Sequence, residues 1–156
     1  MNSKVIGILL ILGPILMIGP WMLLGVNTDD MAPSEYITAI LAESTQTEIR
    51  SILNVFGVMS MFTGLYLLAR SLKSDNTVIN TCSEIGGLFL LLCIPIWVIL
   101  MASDISAIEA AEEFGNDVGA TIISTSAVFQ MGGILMVIGM LLLGISLTLL
   151  RKYKGI

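Results

Sequence analysis

Charge is what this sequence has least of. Charged side chains make up 12% of its 156 residues, about half the share of an average soluble domain. Hydrophobic residues make up 56%, and the mean hydropathy is +0.96. A soluble domain of this size must cover itself with polar groups, and this chain has too few. The composition is that of an integral membrane protein.

Histidine is absent altogether. That excludes Ser-His-Asp and Cys-His catalysis, histidine proton relays and histidine-ligated metals. The two cysteines, Cys82 and Cys93, fall 11 residues apart on one predicted helix. A helix separates them by roughly 16 Å, beyond disulfide reach. No Cys-x-x-Cys pair, phosphate-binding loop or dinucleotide fingerprint occurs. No cofactor or metal set is expected, and the chain reads as a non-enzyme. A net charge of −5 argues against nucleic acid as a partner.

What is present in quantity is long apolar sequence. Four runs reach the roughly 20 residues a bilayer crossing takes. They centre on residues 5–26, 49–72, 85–103 and 126–150. The first reads as a retained helix rather than a cleaved leader, because its exit, Leu23-Leu24-Gly25-Val26, lacks a small residue at the required position. The last charge-free stretch begins earlier, at Val118, and its first third is polar, with Thr121, Ser124, Thr125 and Ser126. That third is expected to rise above the membrane or tilt, with the span near Val128–Leu149.

The few charges are sorted. Lys4, Arg70, Lys73, Arg151, Lys152 and Lys154 flank the spans on one side, with Asp75 and Glu84. The connections 27–48 and 104–125 carry the other ten acidic residues, and the single cation on that side is Arg50, just inside the second run. Basic residues stay cytoplasmic, which predicts both termini inside a plasma membrane and the acidic connections outside. Residues 73–84 form the inner turn.

The outer connections have helical periodicity. Tyr36, Ile37, Ile40 and Leu41 share one face of 34–43. Ala107, Ala110, Ala111 and Phe114 share one face of 105–114. Both read as short amphipathic helices on the outer rim. The expected fold is thus a single all-α domain: a four-helix antiparallel transmembrane bundle with two short outer helices. An offset of 76 residues relates Trp21 to Trp97, Asn54 to Gln130 and Gly57 to Gly133. A parallel two-fold internal repeat fits this, and similar packing without duplication is its rival.

Few residues could carry chemistry. Asn54 and Gln130 are the deepest amides and should find partners. They form a candidate intramembrane pair, either lining a solute path or bonding between helices, and the second reading is the stronger. Asp29, Asp30, Glu109, Glu112 and Glu113 form a candidate acidic cluster for a hard cation, although the charge rule alone accounts for them. Trp21 and Trp97 read as interface anchors. Ser60 and Gly64 could tighten a helix crossing, whereas Gly115 and Gly119 lie near the outer surface. Met136 and Met140 could suit Cu(I). With no histidine and no Met-rich outer loop, the ten methionines read instead as packing residues.

Three functions remain open. The first is a non-catalytic subunit or scaffold packing with itself or a larger membrane complex. The second is a passive channel or small-solute transporter using the level of Asn54 and Gln130. The third is a lipid- or ligand-sensing protein using the acidic outer cap. Membrane lipid is a partner in all three.

Overall fold

In hydrocarbon every backbone N–H and C=O needs a partner, so an apolar chain crosses as helix. The computed structural model describes residues 3–25, 31–124 and 126–154 and, among these, contains helices and short connections but no strand. In chain order the helices are α1 (Ser3–Leu24), α2 (Pro33–Ala42), α3 (Ser44–Ser71), α4 (Thr77–Phe114), α5 (Asn116–Ile123) and α6 (Ser126–Lys154). Four of them, α1, α3, α4 and α6, are long and apolar enough to cross a membrane.

Local sequence explains the ends. Pro33 opens α2, where its missing N–H is no loss, and the Glu35 carboxylate accepts from the Ala32 N–H at 3.0 Å. The Asn76 side chain accepts from the N–H groups of Val78 and Ile79 and starts α4. Ahead of it, Asn80 accepts from the Ser74 N–H and donates to the Ser74 carbonyl, which ties the turn down. At the other end of α4, Gly115 has φ +98° and ψ 162°, a conformation essentially confined to glycine. It breaks the run between α4 and α5.

α4 corrects one expectation. The third span was expected to stop near residue 103, with a separate amphipathic helix over 105–114. Instead α4 runs unbroken for 38 residues, about 57 Å of helix against a hydrocarbon core of about 30 Å. No glycine or proline occurs between Ile96 and Phe114, and charge alone does not end a helix. The segment after α4 supplies its own short helix, α5. The buried face of the extension is Ala107, Ile108 and Ala111, while Phe114 is 65% exposed. Phe114 directly precedes the Gly115 turn and projects away from the cap. The face expected for the first outer helix forms at α2, with Ile37 and Ile40 fully buried.

The main contacts join α1 to α3, α3 to α4 and α4 to α6, so α3 and α4 occupy the middle. One core lies among the long helices, around Val58, Phe62, Leu90, Cys93 and Leu143. A second, smaller core gathers Ile37, Ile40, Ala107, Ile108 and Ala111 where α2, α4 and α5 form a cap. Close approach is bought with glycine. A Cβ on Gly57 would lie 2.6 Å from the Met17 nitrogen, and one on Gly13 would lie 2.6 Å from Met61. Gly64 belongs to the same crossing, against Leu9 and Leu10. Gly86 and Gly139 make the corresponding approach between α4 and α6. Gly119 packs α5 onto Ala107 and Ala111, whereas its expected companion Gly115 faces open space.

Candidate functional site

Arg50 is the cation nearest the acidic connections 27–48 and 104–125, and it is the largest fully buried side chain among the described residues. It stands on the second turn of α3. Its Nη2 lies 3.1 Å from Asp104 Oδ2 on α4. The Tyr36 hydroxyl of α2 donates to the other carboxylate oxygen, Oδ1, also at 3.1 Å. The ring of Trp21, on α1, lies beneath the guanidinium, with Arg50 Cζ 4.4 Å from its centroid. Four helices thus meet at one ion pair. Arg50 Nε and Nη1 have no hydrogen-bond partner, and the π face of Trp21 is what the cation has in exchange. Burial, reinforced by the Asp104 charge, holds the Tyr36 phenol well above its ordinary range. Tyr36 is therefore a neutral donor, as the carboxylate requires.

One turn further along α3, Asn54 is 1% exposed. Pro20 has no N–H, so the Leu16 carbonyl in α1 lacks its intrahelical donor. The Asn54 amide fits that gap. With its nitrogen turned toward α1, it donates to Leu16 at 3.2 Å and Met17 at 2.9 Å, and its oxygen accepts from Trp21 Nε1 at 2.8 Å. Trp21 therefore serves Arg50 with its face and Asn54 with its edge. Trp97 is half-buried, its ring centroid 6.5 Å from that of Phe62.

The expected amide pair is not brought together. Asn54 is spent on α1, while Gln130 is exposed on α6. The same separation parts the other positions related by 76 residues: Gly57 is tightly packed, and a Cβ on Gly133 would meet nothing within 4 Å. Of the acidic cluster, Asp29 and Asp30 lie outside the described residues. Glu109, Glu112 and Glu113 are exposed, and no metal-holding group of three acidic or cysteine ligands exists among the described residues. Asp104, not singled out from the sequence, is the acid that turns inward. The signal for it was Arg50, a single basic residue in an acidic region, four positions before Asn54 and so on the same helix face.

The face of α6 turned away from α4 is open from Gln130 to Thr148. Gln130, Ile134, Val137, Leu141, Gly144 and Thr148 are all exposed there. Two apolar recesses mark it, about 470 Å³ beside Gln130 and Gly133 and about 620 Å³ beside Gly144 and Thr148, each lined by α6 alone. The opposite face is fastened to α4, where Ser146 Oγ donates to the Ile79 carbonyl at 3.2 Å. In comparisons with known proteins, no family model, curated protein or solved structure matches the chain.

Proposed function

We propose that this chain is a non-catalytic membrane subunit that assembles with a second copy of itself through α6. The observation that carries the proposal is the open α6 face. Its exposed residues are spaced four, three, four, three and four apart, the repeat of a left-handed helix pair. Two copies inserted the same way run parallel, so each residue of that seam meets its own counterpart. In lipid, apolar surface alone drives no association, and small residues and interhelical hydrogen bonds supply it instead. Gly133 and Gly144 provide the small surfaces. Gln130, with both donor and acceptor on one amide, can pair with itself. The exposed face of α1 is equally apolar, but no amide lies on it.

In this reading the Arg50–Asp104 cluster holds α1 to α4 as a fixed platform beside α6. The charge distribution supports both termini facing the cytoplasm of a cell with a plasma-membrane location. A solute path at the level of Asn54 and Gln130 has less support, because Asn54 is occupied by α1.

The test is cross-linking in native membranes after Cys82 and Cys93 are replaced by alanine. Cysteine at Val137 or Leu141 should give a dimer of this chain, and cysteine at Ile11 on α1 should not. Equal cross-linking at all three positions, or a product with a different protein only, contradicts self-assembly.

A further inference from the structure

A recess of about 310 Å³ opens where α3 ends and α4 begins. Arg70, Lys73, Ser74, Asn80, Ser83 and Glu84 line it over a floor of Ala69 and Leu72. Most of its polar wall is already committed. The Asn80 amide is held by Ser74, and Ser83 Oγ donates to the Asn80 carbonyl. The charges are not joined to one another. Arg70, Lys73 and Glu84 face the same recess, and no ion pair links Glu84 to Arg70 or Lys73 across it. Arg70 leans over the Tyr66 ring at 5.9 Å.

Two cations and one carboxylate around a single cavity are complementary to a ligand with both an anionic and a cationic group. A purely anionic ligand would meet Glu84 as a like charge. Apolar surface also reaches this level: Val78 is 55% exposed and Ile85 42%. Both lie on a helix able to cross a membrane. A ligand here can therefore bring acyl chains with it.

We infer that this recess binds the headgroup of an aminophospholipid of the phosphatidylethanolamine type. Arg70 and Lys73 take the phosphate, and Glu84 accepts from the primary ammonium. A primary ammonium donates hydrogen bonds that a trimethylated one cannot, so Glu84 is the selecting residue. The inference rests on the membrane-crossing helices and is independent of assembly through α6.

Native mass spectrometry of the full chain, released from vesicles of defined composition, reads the bound lipid. The expected result is preferential retention of phosphatidylethanolamine over phosphatidylcholine and phosphatidylglycerol by roughly tenfold, the scale of one charge-assisted hydrogen bond. Glu84→Gln should abolish the preference over phosphatidylcholine while still binding lipid, and Lys73→Ala should weaken retention of all three. Soluble phosphoethanolamine should not displace the lipid, because it lacks the chains. Helicity and melting of each variant in lipid-free detergent separate lost binding from lost folding. Equal retention of the three lipids, a phosphatidylglycerol preference, or a preference unchanged in Glu84→Gln would overturn the assignment.

Discussion

Arg50 and Asp104 meet at 3.1 Å, and the arginine has no exposed surface. The pair is 54 residues apart in sequence and joins the two central helices, α3 and α4. Tyr36 and Trp21 extend the junction to α2 and α1. Removing one partner of a buried ion pair leaves the other charge uncompensated, at a cost of about 3–5 kcal/mol. Arg50→Met and Asp104→Leu should each destabilise by that amount in reversible unfolding from mixed micelles. The double variant should recover most of the loss. Additive losses in the double variant would show that the two residues act separately.

Tyr36 gives the cluster a pH signature. Its phenol, ordinarily near 10.0, is raised in the folded chain, first by burial and then by Asp104. A raised acid holds its proton more tightly when folded, so its contribution is complete below pH 10 and is lost as pH rises toward the folded value. Of the three tyrosines, Tyr36 should be the last to form phenolate in an alkaline absorbance titration. Tyr36→Phe should abolish that late step, and it should lose about 1.5–3 kcal/mol at neutral pH, as expected for a hydrogen bond to a charged group.

Pro20 and Asn54 should be energetically coupled. Asn54→Ala alone strands the Leu16 carbonyl and should cost about 1–2 kcal/mol. In a Pro20→Ala background α1 supplies its own N–H, so the same change should cost measurably less. A double-mutant cycle reads the difference, and a coupling of zero would disprove the role assigned to the amide.

The glycines divide into two groups with opposite behaviour. Gly57→Ala places a Cβ against α1 backbone and should destabilise by about 1–3 kcal/mol. A Cβ on Gly144 would meet nothing within 4 Å, and Gly144→Ile should leave the melting of the isolated chain nearly unchanged. It fills the notch through which α6 is proposed to pack, so its effect should fall on association. A large loss of monomer stability in Gly144→Ile would contradict the open face.

The apolar runs made the four long helices legible, because length and hydropathy are local properties. So was the α2 face, where Ile37 and Ile40 repeat at helical spacing between Pro33 and Glu43. The continuity of α4 was not, because Asp104 and Glu109 suggested an exit into a loop while nothing between Ile96 and Phe114 breaks a helix. The charged cluster was hidden for a different reason. Arg50 and Asp104 each look like ordinary surface charge, and their pairing depends on how α3 and α4 pack. Asn54 was recognised as an amide in need of a partner. The partner turned out to be backbone that Pro20 had freed, a relationship carried by two residues on different helices.

Assembly through α6 is the central claim, and dilution in a bilayer tests it most directly. Copies labelled with donor and acceptor dyes, reconstituted at decreasing protein-to-lipid ratios, should keep energy transfer until a defined dissociation density. Gly144→Ile, folded and equally stable, should lose that transfer at densities where the unsubstituted chain keeps it. Transfer no greater than chance at every density, or transfer unaffected by Gly144→Ile, would contradict the account.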